Sequence, residues 1–327
     1  MTRRAWAGAA AAGAAAALGV AALSWGDYPV DLWQVVQGGD GAEFARTVVL
    51  AWRAPRILAA LAFGAALGIA GMIFQTITAN PLGSPDIVGF ATGSYTGVLV
   101  AALFLGGGGA ASAGGALGGG LATAAAVYGL THRYGAQAFR LIVVGLGVTA
   151  MLHALNLWML TKLNQEVAVA ASIWAGGSLS LISWQKLAWG LPLLAAMGAL
   201  APVLLPWLRQ LELGDDAAAA HGARPARARL AGVLLGVGLV AAVTACAGPI
   251  AFIALAAPQV AARLARGPGL PLGGSAATGA ALLLASDLLA QFIAPQPLPL
   301  GVVTVCLGGI YLMGLLWREA RRGAWAA

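Results

Sequence analysis

Few residues in this chain can do chemistry, and they fall in three places. Arg53 and Arg56 stand on either side of Pro55 at the start of an apolar run. Gln75 interrupts that run, which ends in the polar corner Asn80-Pro81-Leu82-Gly83-Ser84-Pro85-Asp86. Leu213, Gly214, Asp215, Asp216, Ala218 and Gly222 belong to the charged segment RQLELGDDAAAAHGARPARAR, residues 209–229. Each group suits a different task. An arginine fork holds a carboxylate by two parallel bonds, or anchors a helix end at a membrane surface. Asn80 can satisfy backbone groups freed where Pro81 interrupts a helix, and Leu82 can close an apolar constriction. Gly214 breaks a helix, and Asp215 and Asp216 favour the N-terminus of a new one. Ala217–Ala220 extend it, and Gly222 and Pro225 stop it.

None of this is catalytic machinery. No H-E-x-x-H, phosphate-binding loop or nucleophile elbow occurs. Cys246 and Cys306 lie in apolar segments, and two thiols alone make a poor metal site. His132, His153 and His221 are scattered. The expectation is a protein that is not an enzyme, with no cofactor and no metal. His153, Asn156 and Asp287 are polar residues inside apolar runs, where an interhelical hydrogen bond competes with a functional role.

The elements that must position these groups are membrane helices. Of 327 residues, 60% are hydrophobic and only 9% charged, against about 25% in soluble domains. About ten apolar runs approach the roughly 20 residues a span needs. The expected fold class is all-α, a polytopic membrane protein of one domain, residues 1–327, with about ten transmembrane helices. The net charge of +7 does not signal nucleic acid, because the arginines sit in short loops as topology signals do. Residues 1–25 read as a first span rather than a cleaved signal peptide, since the run is long enough to cross. Arg3, Arg4, Arg133, Arg140, Arg209, Arg224, Arg227, Arg229, Arg263, Arg266, Arg318, Arg321 and Arg322 fall on one side. Arg46, Arg53, Arg56, Lys162 and Lys186 are the sparse cations of the other. This bias places both termini in the cytoplasm.

Helix by helix, the sequence predicts spans over residues 55–77, 87–105, 117–130, 141–160, 187–208, 230–247 and 275–293, with the last ending near Trp317. Residues 26–51 form a polar outer segment, and residues 162–183 another. Glycines at 106–109 and 114–115 form an outer turn. The run to Arg263 is short and interrupted by Pro258. Gly64, Gly68 and Gly71 mark a flat helix face for close approach of another backbone.

The fixed spacing also carries a resemblance. Arg53, Pro55, Arg56, Gly64, Leu67, Gly71, Gln75, Asn80, Pro81, Leu82, Pro85, Gly89 and Gly93 match R-x-P-R, G-x-x-L-x-x-[AS]-G, Q-x-x-x-x-N-P-L-x-x-P and G-x-x-x-G. This pattern resembles the FecCD family, permeases of type II ABC importers for iron–siderophore, haem and cobalamin. Further matches are the segment around Trp174 and Ser178, Leu213–Gly222, and Gly248-Pro249-Ile250-Ala251-Phe252 through Pro258. Departures are His221 for leucine, Gln259 where histidine is common, Gln291 for arginine, and Pro297 for glutamate.

The resemblance implies a permease subunit that moves an iron–siderophore complex from a binding protein to the cytoplasm. It implies a multi-pass location in the inner (cytoplasmic) membrane among its lipid. Expected partners are an ATP-binding cassette ATPase dimer, a second and different permease chain, an extracytoplasmic substrate-binding protein and a ferric siderophore, with no nucleic acid. Arg53 and Arg56 would receive acidic residues of the binding protein. Asn80, Leu82 and Gln75 would lie at the cytoplasmic gate and path. Leu213, Gly214, Asp215, Asp216, Ala218 and Gly222 would couple to the ATPase. Haem or cobalamin transport is the alternative within the family. A secondary transporter is a more distant one, since Asp287 is the only acid well inside an apolar run.

Overall fold

A computed structural model describes residues 3–26, 28–37, 42–86, 89–106, 109–132, 138–267 and 269–321. Within them the chain is helical: α1 (Arg3–Ser24), α2 (Leu32–Gln37), α3 (Ala42–Arg46), a π-helical stretch (Thr47–Arg53), α4 (Ala54–Ile77), α5 (Phe90–Phe104), α6 (Gly109–His132), α7 (Ala138–Leu160), α8 (Gln165–Ala175), α9 (Trp184–Leu211), α10 (Asp215–Ala220), α11 (Pro225–Ala247), α12 (Ile253–Ala265), α13 (Leu272–Phe292) and α14 (Leu300–Arg321). Seven stretches are long and apolar enough to cross a membrane, and α5, α12 and residues 300–314 of α14 are shorter apolar helices. The expected all-α polytopic fold is what the chain adopts. Arg133, Arg322, Ile87, Asp27 and Asp40 lie outside the described residues, as do the side chains of Arg3, Arg4, Arg318 and Arg321.

The packing centre is α4. It is nearly enclosed by α9, α11, α12 and α13, and Phe63, Ala70, Ile73 and Phe74 have no exposed surface. Its small-residue face explains the close approach. A side chain at Gly64 would strike the Gly279 backbone of α13, one at Gly68 the Ser275 carbonyl, and one at Gly71 the Ala254 carbonyl of α12. Dispersion and backbone contact at such a seam replace the hydrophobic drive that lipid cannot supply.

Three expectations are corrected. Residues 26–51 are not simply a polar loop: helix begins at Ala42 and runs through the π stretch into α4, so that Ala42–Ile77 is one 36-residue apolar stretch. Pro55, in the first turn of α4, has no N–H for the regular ladder, and the irregular winding immediately precedes it. Second, Gly114 and Gly115 do not form a turn. They lie inside α6, and Gly115 meets the Gly97 backbone of α5. Gly115 serves close packing of α5 on α6, a demand that composition cannot distinguish from a turn, whereas Gly114 faces open space. Third, the outer segment 162–183 contains a further helix, α8.

These contacts make opposite demands on two glycines. Gly71→Ala should destabilise the detergent-purified protein by about 1–3 kcal/mol, the usual cost of overpacking. Gly118→Ala, on α6 with open space around it, should be neutral or slightly stabilising, since alanine is the better helix former. Thermal unfolding of the two variants checks this contrast.

Candidate functional site

At one end of the bundle α4 begins, and the two arginines are held there by the chain itself. Arg53 Nη1 donates to the Leu23 carbonyl at 2.8 Å and Nη2 to that of Tyr28 at 2.6 Å. Arg56 makes the fork geometry anticipated for an arginine, but to Asp287 of α13: Nε to Oδ2 at 2.8 Å and Nη2 to Oδ1 at 2.9 Å. Gln291, one turn later, donates to the same Oδ2 at 3.0 Å. The Asp287 side chain is 2% exposed and that of Arg56 22%. Asp287, Arg56 and Gln291 thus form one cluster, in which Asp287 neutralises Arg56. The same end is tied by stacking of Trp25 on Phe292 and by the Trp184 indole N–H donating to the Leu50 carbonyl at 2.8 Å.

At the other end, α4 gives way to the Asn80 corner. Asn80 Oδ1 accepts from the Leu82 N–H at 2.8 Å, and the Gly83 N–H donates to the Asn80 carbonyl at 2.9 Å. This is the expected use of an asparagine beside a proline: its side chain turns the backbone on itself. Leu82 is 39% exposed. The Asp86 carboxylate accepts from the Phe252 backbone N–H at the start of α12.

The corner is also held from α12. Pro258 lies inside that helix and has no N–H to offer the Ala254 carbonyl. Gly71 presses its backbone against that carbonyl, and Gln75, one turn along α4, donates Nε2 to the next one, Leu255, at 2.9 Å. The i, i+4 spacing of Gly71 and Gln75 therefore addresses a break in the neighbouring helix. Gln259, the residue after Pro258, donates its amide to the Pro81 carbonyl and accepts from the Tyr311 hydroxyl of α14 at 3.3 Å. Arg263 stacks over the Tyr311 ring, 5.5 Å from its centre.

Between α9 and α11 the expected short helix is present as α10, with Asp215 and Asp216 in its first turn. Gly214 precedes it at φ 86, ψ 159, a conformation essentially reserved for glycine. Ala218 is fully buried and seats the helix, whereas Leu213 is 61% exposed and Asp216 is exposed. The His221 ring Nδ1 lies 2.8 Å from the Ala217 carbonyl, and Gly222, at φ +79, bonds through its N–H to the Ala219 carbonyl. Asp215 is taken up by Arg229 of α11, in two bonds of 2.6 Å. Arg229 Nε also donates to the Ile77 carbonyl in the last turn of α4, at 3.3 Å.

Sequence reasoning places Arg229 among the inner-side cations at the end of the charged segment but does not find its partners. A signal for one of them exists. Arg229 is the fifth residue of α11, near a helix N-terminus where the dipole disfavours a cation, so it calls for a carboxylate partner. Of the other polar residues inside apolar runs, Asn156 donates to the Thr92 carbonyl at 3.3 Å, the interhelical bond that competed with a functional reading. His153 is exposed on α7. Among the described residues no group of three or more His, Cys, Asp or Glu comes together, and Cys246 and Cys306 are free thiols, one buried and one exposed.

With this geometry in view, the chain can be placed. It belongs to the FecCD transport family, which matches residues 14–318. It is 46% identical over 285 residues, 87% of this chain and 86% of the relative, to the ferric enterobactin transport system permease protein FepG of Escherichia coli. It is 36% identical over 284 residues, 85% of this chain and 84% of the relative, to FepD, a permease protein named for the same system in that organism. A solved structure of a metal-chelate type ABC transporter in an inward-facing conformation matches with a TM-score of 0.83 at 25% identity, covering 93% of this chain and 96% of that one.

Gly214→Ala loses no contact, since nothing surrounds the position, yet forces an L side chain into a glycine conformation. A cost of about 1–3 kcal/mol should fall on the entry to α10 alone. Faster proteolysis at residues 212–216, with unchanged thermal unfolding of the helical bundle, is the expected outcome.

Proposed function

We propose that the chain is one permease subunit of an ATP-driven importer that carries a ferric siderophore of the catecholate class across the inner membrane. The observation that carries this reading is the near-full-length similarity to permeases of ferric enterobactin transport, together with an exposed short helix, α10, beside the inner corner of α4. Two ferric enterobactin permease chains in one organism, both related to this one, favour a different chain as the second permease. The single domain, with both termini in the cytoplasm, leaves ATP hydrolysis to a pair of ATPase partners. Leu213, Gly214, Asp215, Asp216, Ala218 and Gly222 form the docking element for them: Ala218 is seated inward, and Leu213 and Asp216 are presented outward. Asn80 and Leu82 shape the inner exit of the path, with Gln75 behind them holding α12.

Arg53 and Arg56 face the extracytoplasmic binding protein in this account. Arg56 comes to it partly neutralised by Asp287. Its availability depends on who else binds that carboxylate.

The reading is tested in proteoliposomes containing this chain, a second permease and the ATPase, supplied with a binding protein and a labelled ferric catecholate siderophore. Uptake should require ATP and should fail with haem or cobalamin. Uptake driven by an ion gradient without ATP would contradict it.

A separate prediction concerns docking. Replacing Arg56 alone strands a buried Asp287 and costs about 3–5 kcal/mol, so Arg56 is replaced together with Asp287. Arg53→Glu, and the neutral pair Arg56→Gln with Asp287→Asn, should each weaken binding-protein affinity by roughly tenfold, the scale of one charged hydrogen bond. Gln291→Arg should tighten it, because a second guanidinium competes for Asp287 and frees Arg56. That gain should be larger at low salt. Binding-protein titration of the purified complex measures all three.

A further inference from the structure

We propose that Arg229 is the mechanical link between the ATPase-facing helix α10 and the inner corner of α4, so that movement of α10 reaches the Asn80–Leu82 turn through this one side chain. The inference rests on the permease reading above and adds to it the residue that transmits the motion.

Arg229 bridges two elements at once. Its terminal nitrogens hold the Asp215 carboxylate on α10 at 2.6 Å each, and its Nε donates to the Ile77 carbonyl on α4 at 3.3 Å. The fork geometry makes this division possible: two parallel bonds fix α10, and the remaining N–H reaches the helix end. The electrostatics agree. Asp215 is in the first turn of α10, where an anion is favoured, and the guanidinium sits at the C-terminal turn of α4, where a cation is favoured. Ile77 is three residues before Asn80, and its carbonyl belongs to the last helical turn before the corner.

The neighbourhood is built so that a pull on Arg229 must displace the corner. Gly232, one turn along α11, lets that helix ride against Ile73 and Ile77. The corner's other tethers, Gln259 on the Pro81 carbonyl and the Phe252 N–H on the Asp86 carboxylate, belong to a different helix, α12, and its start. When α10 and α11 shift together, Arg229 takes the end of α4 with them while Gln259 holds the far side of the turn. The turn between Ile77 and Pro81 then has to open or close. The Arg229–Asp215 pair is half exposed, with side-chain exposures of 17% and 47%, so it adds little to stability. Its geometry, not its strength, is what the arrangement exploits.

The test uses the full complex in proteoliposomes, with thiol labelling read in chains that carry Leu82→Cys and Cys306→Ser, and uptake read in a parent that carries Cys306→Ser alone. ATP-dependent uptake by that parent complex establishes the permease reading independently. Its absence would count against the reading and not against the link. In Arg229→Gln, assembly and ATP hydrolysis should persist, uptake per ATP hydrolysed should fall at least tenfold, and thiol labelling at position 82 should become the same with and without nucleotide. Asp215→Asn, which leaves Arg229 in place, should shift both readouts in the same direction and decides the matter if Arg229→Gln fails to assemble. The exchanged pair Asp215→Arg with Arg229→Asp restores the ion pair but offers no donor to the Ile77 carbonyl, so it should stay uncoupled. Rescue of uptake per ATP by the exchange, or nucleotide-dependent labelling retained in Arg229→Gln and Asp215→Asn, would overturn the proposal.

Discussion

Pro258 has no N–H, and the break it makes in α12 is the constraint on which the centre of this protein depends. In lipid, a freed backbone carbonyl has no water to turn to, and each unsatisfied group is costly. The neighbouring helix α4 packs Gly71 against the freed Ala254 carbonyl, shielding it from lipid, and places the Gln75 amide on the next carbonyl, that of Leu255. Those two residues cannot be bulky or apolar without exposing the break. The rest of the α4 seam follows, with small residues toward α13 and large buried ones, Phe63 and Phe74, elsewhere.

The same arrangement joins the two ends of the molecule. α4 carries Arg56, paired to Asp287, at one end and the Asn80 corner at the other. Its sides are fixed by backbone contact, so it can transmit displacement along its length with little internal give. What differs between the ends is exposure. The Arg56 pair is largely buried, whereas the Arg229–Asp215 pair is half open to solvent.

Much of this was legible in the sequence because the motif residues act locally. Asn80 and Pro81 make their own turn, Gly214 and the aspartates start α10, and Gly222 closes it, so residue type and spacing sufficed. The number of apolar runs gave the fold class for the same reason. Pairings far apart in the chain were not legible. Arg56 meets Asp287 across 231 positions, and both had been noticed for separate reasons. The bond of the Gln75 amide to the Leu255 carbonyl of α12 spans 180 positions and is equally invisible in the sequence. Gly114 and Gly115 have the composition of a turn, yet both lie inside α6, and the contact of Gly115 with α5 exists only in three dimensions. The helix α8 lacks the length of a span, and the outward extension of α4 lacks a hydropathy boundary, so neither announces itself.

The central claim is that α10 and the last turn of α4 move as one body. Paired spin labels at His221→Cys and Thr76→Cys, with Cys306→Ser in the background, measure that distance directly in the assembled transporter. A second pair, from His221→Cys to Leu82→Cys, reports opening of the turn, because Gln259 holds its far side to α12. Between nucleotide-free and nucleotide-bound states, the first distance should stay constant while the second changes. A first distance that changes with nucleotide while the second stays fixed would contradict the account.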